Sequence, residues 1–174
     1  TGWTSMYATG DCSGTAPNVY EPLSTARWLA DDALSRLDEW GDDQVPNRTA
    51  LTAKAAATAG YSLTLLGEGM CSIALDLGPE IMPDQVFALA EERFTRAIEA
   101  ASQVGDSETR NLALVGRARA RLNMGAGTEA AADAAQVPEG FSFEFAYSSQ
   151  DPSTENKLFA LMERELMATV EPMY

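Results

Sequence analysis

The stretch PDQVFALAEERFTRAIEAASQVG, residues 83–105, decides the fold class of this chain. Its apolar residues recur three and four positions apart, which places them on one face of an α-helix. Pro83 suits the first turn, Asp84 complements the positive helix end, and Gly105 ends the helix. We therefore predict a helix with one face in a core and its charged residues facing water. The core face consists of Phe87, Ala90, Phe94, Ala97 and Ala101, and the charged residues are Glu91, Glu92, Arg93 and Arg96.

The same spacing recurs on both sides of this stretch and predicts an all-α fold of about six helices. Upstream, we expect helices at about 23–40 and 46–67, and downstream at about 108–124, 128–137 and 151–168. The helix at 46–67 is apolar on every face, which is typical of a central, buried helix. The stripe of the first helix consists of Leu23, Ala26, Ala30, Ala33, Leu37 and Trp40.

Three segments interrupt the helical pattern. Residues 1–21 carry Gly, Pro, Ser and Thr without helical spacing, so we predict an irregular N-terminal arm followed by one helical domain, 22–174. Residues 71–82 lose the periodicity and are expected to form a loop. The sequence FSFEFAY, residues 141–147, carries apolar residues at every second position, which favours a short strand or an extended ribbon.

The aromatic residues divide by the segments in which they lie. Trp28 and Trp40 lie on or beside the stripe of the first helix, and we expect both in the core. Aromatic residues of the irregular segments are better placed to contact a ligand or a protein partner. These candidate contact residues are Trp3, Tyr7, Phe143, Phe145 and Tyr147.

The composition argues against several functions. The formal net charge of −14 opposes nucleic-acid binding, because phosphate contacts need clustered Lys and Arg. The sequence contains no His, which is the commonest general base and a usual zinc ligand. We therefore expect a protein that is not an enzyme and that has no cofactor or metal. The sequence also lacks a run of about 18 apolar residues, so no transmembrane segment is predicted.

Carboxylates leave one enzymatic alternative open. A hydrolase would need two carboxylates that converge in a cleft, one of them with a raised pKa. The adjacent pairs are Asp31–Asp32 and Glu91–Glu92, but neighbours on a helix diverge by about 100°. The acidic run from Asp38 to Asp43 lacks the alternating spacing of a calcium loop, and a solvated helix end explains it better.

The two cysteines, Cys12 and Cys71, leave two alternatives open. In an exported protein they would form a disulfide that tethers the N-terminal arm. Otherwise Cys71, which lies in an apolar stretch, would be a small buried residue. We expect the disulfide if the protein is exported.

Residues 88–101, ALAEERFTRAIEAA, resemble the second helix of a tetratricopeptide repeat, whose signature is Ala-x3-Phe-x2-Ala. Ala90, Phe94 and Ala97 occupy the signature positions, and Leu66-Gly67 matches the Leu-Gly of the first repeat helix. The resemblance implies a fold of helical hairpins. A second, looser copy is marked by Gly116, Ala118, Ala130 and Pro138.

A wider resemblance covers residues 20–138. The segments YEPLSTARWLADDAL, LLGEGMCS, ALAEERFTRAI and ARLNMG occur in an order that resembles the N-terminal part of the SusD/RagB family of outer-membrane nutrient-uptake lipoproteins. The resemblance implies export to the periplasm or outer membrane and a protein partner, because these lipoproteins act with a TonB-dependent transporter. Cys12 follows Asp11 and does not match the lipid-bearing cysteine of that family.

The resemblance implies two functions from different classes. The first is a scaffold: a SusD-like module that serves as an extrinsic accessory subunit docked on a membrane protein complex. The second is a nutrient-binding protein that holds a glycan or peptide for a transporter. Family members are far longer than 174 residues, which favours the scaffold. We expect the hairpin surface and the arm, residues 1–21, to contact the partner.

Overall fold

The structure, a computed structural model, describes residues 17–148, 150, 155 and 156. The chain divides into two compact units, Thr1–Phe141 and Ser142–Tyr174. The described residues of the first unit form five helices and two strands of two residues each, which confirms the all-α fold class. The helices are α1 (Pro17–Glu39), α2 (Arg48–Gly69), α3 (Pro83–Val104), α4 (Ser107–Asn123) and α5 (Gly127–Ala134).

Helix α3 begins and ends where the sequence predicts. The Gln85 side chain accepts a hydrogen bond from the Met82 amide at 3.0 Å, and this bond stabilises the start of the helix. Gly105 follows the last turn with a φ of 70°, a left-handed conformation that glycine adopts without strain. Asp106 then caps α4, because its carboxylate accepts a hydrogen bond from the Thr109 amide at 3.0 Å.

Helix α2 packs against α1, α3 and α4, as expected of a central helix. Its small residues allow close approach: a Cβ at Gly60 would lie only 2.7 Å from the Phe94 ring. Gly116 of α4 contacts the same ring, so Phe94 is enclosed between two helices and fully buried. The Tyr61 ring meets Phe94 edge-on at a centroid distance of 5.0 Å. We call Gly60, Tyr61, Phe94 and Gly116 the Phe94 cluster.

The segment expected to be a loop, residues 71–82, contains a small antiparallel hairpin. Its strands are β1 (Ile73–Ala74) and β2 (Glu80–Ile81). Ile73 is buried in the core cluster that includes Phe94, so the hairpin is anchored to the helices. The pattern of residues 71–82 does not predict these strands, because two residues are too few to show an alternation.

Helix α1 differs from its prediction in its start and in its buried face. It begins at Pro17, within the segment expected to be irregular, and residues 1–16 lie outside the described residues. The expected core positions of Trp28 and Trp40 are wrong, because these residues are 51% and 41% exposed. Helix α1 lies at the edge of the unit and buries only a narrow face. That face consists of Arg27, Ala30, Leu34 and Leu37.

The C-terminal segments also differ from their predictions. Residues 141–148 form neither helix nor strand, so the short strand predicted there is wrong. A strand needs a neighbouring edge for its hydrogen bonds, and an alternating pattern alone does not supply one. The helix predicted for 151–168 falls mostly outside the described residues. Glu155 and Asn156, which are described, are not helical.

Candidate functional site

The adjacent carboxylates that a hydrolase would use bind arginines. The prediction that Arg93 and Arg96 simply face water is wrong, because they bind Asp31 and Asp38 of α1. These charged side chains join α3 to α1, which accounts for their positions. The ion pairs of the four carboxylates include Arg93–Asp31 at 2.8 Å, Arg36–Asp32 at 2.8 Å, Arg121–Glu91 at 2.7 Å and Arg93–Glu92 at 2.9 Å.

A buried ion-pair cluster joins α4 to α5 and reaches α3. Asp133, which is 1% exposed, accepts hydrogen bonds from Arg117 at 2.7 and 2.9 Å and from Arg121 at 2.9 Å. Arg117 also donates to the Thr95 hydroxyl, and Arg121 to Glu91. Each buried charge is therefore compensated by a partner of opposite sign. The cluster stabilises the packing of α5.

Two further carboxylates have lowered pKa values. Hydrogen bonding from Arg119 lowers the pKa of Glu68, and hydrogen bonding from Thr109 lowers that of Asp106. A general acid at neutral pH needs the opposite shift, a raised pKa. Glu68 and Asp106 are therefore ionised at neutral pH and act as structural hydrogen-bond acceptors.

A shallow cleft lies between α1 and the β1–β2 hairpin. The Tyr20 hydroxyl donates a hydrogen bond to the Ala74 carbonyl at 3.0 Å, which ties the start of α1 to the hairpin. The cleft beside this contact has a volume of about 360 Å³. We call it the Trp28 cleft, and its lining includes Tyr20, Ser24, Trp28, Ala74, Asp76 and Leu77.

Arg27 is the buried anchor of the Trp28 cleft. It is 4% exposed and donates two hydrogen bonds of 2.7 Å to the two carboxylate oxygens of Asp76. Two parallel bonds fix both the distance and the orientation of the partner, so Arg27 holds the hairpin loop in place. The same hydrogen bonding lowers the pKa of Asp76. Asp76 is therefore an ionised group at the edge of the cleft.

The hairpin turn has an unusual backbone. Asp76 and Leu77 have φ angles of 52° and 60°, in the left-handed region that residues with a Cβ rarely adopt. The Gly78 amide donates to the Leu75 carbonyl at 2.7 Å, which closes a turn with positive φ at both central residues. Such type I′ turns favour Asn-Gly, whereas this chain has Asp-Leu. Leu77 is fully exposed, so packing of its side chain does not offset the strain.

The predicted contact residues fall into two groups. The rings of Phe143 and Phe145 meet edge-on at a centroid distance of 5.1 Å in the second unit, and Tyr147 is 61% exposed. Trp3 and Tyr7 lie outside the described residues. The role of all five as contact residues stays a prediction.

Cys71 is disulfide-bonded and lies just before strand β1. Cys12 is the other cysteine of the sequence and lies outside the described residues. The pairing of Cys12 with Cys71 therefore stays a prediction. A bond at Cys71 lies at the base of the hairpin that forms one wall of the Trp28 cleft.

Sequence reasoning does not predict the two large exposed apolar residues of this cleft, Trp28 and Leu77. The sequence pattern predicts a core position for Trp28 and places Leu77 in a loop. A signal for the turn exists in LDLGPE, residues 75–80, where Asp, Gly and Pro stand close together. No comparable signal marks Leu77 itself, because its exposure depends on how the hairpin packs.

Metal sites and membrane spans are both absent from the part of the chain that the structure describes. Within residues 17–148, 150, 155 and 156, no three side chains of His, Cys, Asp or Glu come together as a metal site would require. Among the same residues, every helix is too short or too polar to cross a membrane.

Comparisons with known proteins found no relative of this chain. No protein-family model matches it, and neither a curated protein nor a solved structure matches it. The resemblance to the SusD/RagB family therefore rests on the sequence segments quoted above. The tetratricopeptide-like arrangement of the hairpins rests on the same basis.

Proposed function

We propose that this chain is a non-catalytic scaffold protein, an extrinsic accessory subunit that docks on a membrane protein complex. The observation that carries the proposal is the exposure of large apolar side chains around the Trp28 cleft. Trp28 on α1 is 51% exposed, and Leu77 of the hairpin, which lines the same cleft, is fully exposed. Apolar residues exposed together mark protein interaction sites, and Trp is enriched there.

The charged residues support the non-catalytic part of the proposal. Asp31, Asp32, Glu91 and Glu92, the carboxylates of the hydrolase alternative, all bind arginines. A nucleophile or general acid must be free to reach a substrate, whereas these groups join one helix to another or brace their own helix. The arrangement favours a rigid binding surface over a reaction centre.

The disulfide at Cys71 supports the location of the proposed complex. Disulfides persist in oxidising compartments, and Cys71 is disulfide-bonded. This agrees with the periplasmic or outer-membrane-associated location that the SusD/RagB resemblance implies. A subunit in that compartment would reach a membrane complex through its exposed surface.

A second candidate function is nutrient binding, in which the chain would hold a glycan or peptide for a TonB-dependent transporter. The observation that favours it is the edge-on pair of Phe143 and Phe145, together with exposed Tyr147. Clustered aromatic rings offer flat apolar surfaces with defined geometry to a ligand.

Purification of the native protein from membranes of its host, after mild chemical crosslinking, tests the scaffold function. We expect one membrane protein complex in constant ratio to this chain, with crosslinks to α1 and the β1–β2 hairpin. A Phe145→Ala variant serves as the control and should retain the complex. Recovery of the chain without a membrane complex, together with tight binding of glycans or peptides that Phe145→Ala abolishes, would replace the scaffold with the nutrient-binding function.

A further inference from the structure

The outward face of α1 beside the Trp28 cleft is acidic. At about 100° per residue, Glu21, Trp28, Asp32 and Glu39 fall within roughly 40° of one another around the helix axis. Glu21 and Glu39 are exposed, and the ionised Asp76 lies across the cleft. Trp28 therefore shares the outward face of α1 with exposed carboxylates.

The arginines nearest to this face neutralise Asp32 and Asp76, but among the described residues they form no ion pair with Glu21 or Glu39. Arg27 is buried and its charge is balanced by Asp76 and Asp31, while Arg36 pairs with Asp32. The formal net charge of the whole chain is −14. A molecule that approaches the cleft therefore meets a negative potential, which attracts cations and repels phosphates.

Leu77 adds a second, independent observation. Its left-handed backbone and that of Asp76 cost free energy, and Gly in either position would avoid the cost. The fully exposed Leu77 side chain gains no compensating contact with the described part of this chain. The bidentate bond between Arg27 and Asp76 nevertheless holds the turn so that Leu77 extends beside Trp28. Contact with another molecule would supply the missing compensation.

We infer that the Trp28 cleft binds a segment of a partner protein that carries arginine or lysine beside an apolar side chain. The apolar side chain contacts Trp28 and Leu77, and the cation pairs with Glu21. A cation can also lie over the indole ring of Trp28. The inference rests on the proposed docking function and names its surface and the chemistry of the partner. Nucleic acid and anionic lipid are disfavoured as occupants, because their phosphates would meet like charge.

Titration with a fluorescently labelled peptide of alternating arginine and leucine tests the inference. We expect binding that weakens as salt is added, because exposed charges are screened. Two matched peptides act as controls: glutamate in place of arginine, or serine in place of leucine, should each abolish binding. Equal binding of the arginine–serine peptide would overturn the inference, since it would show attraction by charge alone.

Substitutions locate the binding surface. We expect Leu77→Gly and Trp28→Ala each to weaken binding of the arginine–leucine peptide about tenfold, the effect of losing a central contact. Leu77→Gly is informative because glycine suits the turn, so a loss of binding would not arise from unfolding. Trp40→Ala and Leu122→Ala, which change exposed residues elsewhere, should leave the affinity within about twofold. Similar losses in all four variants would overturn the assignment to this cleft.

A matched pair of charge variants separates a local effect from the net charge. Glu21→Gln and Glu108→Gln each remove one exposed carboxylate, the first on α1 beside the cleft and the second on α4. We expect only Glu21→Gln to weaken binding and to reduce its salt dependence. Equal effects of both variants would contradict a defined site. Binding of a neutral glycan that depends on Trp28 but not on salt would assign the cleft to a sugar.

The native complex distinguishes failure of this inference from failure of the proposed function. If the wild-type chain retains its membrane complex during purification and Leu77→Gly loses it, the inferred surface and the scaffold function both stand. If Leu77→Gly retains the complex, the inferred surface is wrong and the scaffold function stands. If the wild-type chain retains no complex, the scaffold function is wrong and the inference falls with it.

Discussion

Phe94 on α3 and Trp28 on α1 lie on helices whose apolar residues have similar spacing, but their environments are opposite. Phe94 is 0% exposed and Trp28 is 51% exposed. Phe94 contacts glycines of two different helices, Gly60 and Gly116, which come close because they lack a Cβ. Helix α1 lies at the edge of the unit, and Trp28 is directed away from its buried face. Spacing predicts which face of a helix is apolar, whereas the number of neighbouring helices decides which residues are buried.

The largest expected difference between the two regions is in stability. Phe94→Ala should lower the free energy of unfolding by roughly 3–5 kcal/mol, the range for emptying a buried aromatic site. Trp28→Ala should cost less than about 1 kcal/mol, because much of its surface already contacts water. Urea denaturation of both variants checks this contrast. Similar losses in the two variants would show that the comparison of buried and exposed aromatic residues is wrong.

Substitution in the buried ion pairs should lower the free energy of unfolding nearly as much as substitution in the Phe94 cluster. Asp133→Asn keeps the shape of the side chain but leaves Arg117 and Arg121 without their shared carboxylate. We expect a loss of about 3 kcal/mol in urea denaturation, as for other buried ion pairs that lose one partner. Asp32→Asn, which breaks the exposed pair with Arg36, is the control and should cost at most about 1 kcal/mol. A small effect of Asp133→Asn would mean that other groups compensate the charges of Arg117 and Arg121.

The close approach of the helices at the Phe94 cluster can also be tested by enlarging a small residue that contacts the Phe94 ring. A Cβ at Gly116 would overlap the Phe94 ring, so Gly116→Ala should destabilise by about 1–3 kcal/mol through overpacking. At Gly127, in the first turn of α5, an added Cβ would meet no other atom within 4 Å. Gly127→Ala should therefore be neutral or stabilise by up to about 1 kcal/mol. Thermal denaturation compares the two, and equal shifts in Tm would refute the enclosure of Phe94 between glycines.

A substitution in the turn at the Trp28 cleft should raise the free energy of unfolding, whereas substitutions in the core lower it. Leu77→Gly removes a Cβ from a residue with positive φ and should raise the free energy of unfolding by about 1 kcal/mol. The gain is smaller if the unfolded chain benefits from the added flexibility. Differential scanning calorimetry measures the change. A loss of more than about 1 kcal/mol would mean that the Leu77 side chain packs within this chain and is not available to a partner.

The smallest effect concerns the acid stability of the cleft. Hydrogen bonding from Arg27 lowers the pKa of Asp76 below its ordinary value of 3.8. A lowered pKa in the folded chain means that this contact stabilises above about pH 4 and is lost as the pH falls further. Asp76→Asn should therefore flatten the loss of stability in acid while lowering stability at neutral pH. The effect is small because the Asp76 side chain is 56% exposed and screened by water, and because Arg27 keeps its contact with Asp31 at 3.4 Å. Unfolding measured across pH in both forms checks it.

The sequence was sufficient for the existence of helices α1 to α5 and for the core face of α3. Phe87, Ala90, Phe94, Ala97 and Ala101 are all buried, because a repeating local pattern reports the periodicity of a helix directly. The sequence was not sufficient to predict the Trp28 cleft. Arg27 and Asp76 lie 49 positions apart, and only the folded chain shows that they form a bidentate pair. The same holds for Leu77, whose exposure depends on how the hairpin packs.

Hydrogen–deuterium exchange tests most directly whether the exposed region binds a partner while the core does not. The exchange of the isolated chain is compared with that of the chain in its native membrane assembly. We expect the backbone amides of the hairpin turn, residues 75–78, and of the start of α1 to gain protection in the assembly. Amides of α3 around Phe94 should exchange equally slowly in both samples, because that helix is already enclosed. Unchanged exchange at the turn, with new protection confined to other surfaces, would contradict docking at the Trp28 cleft.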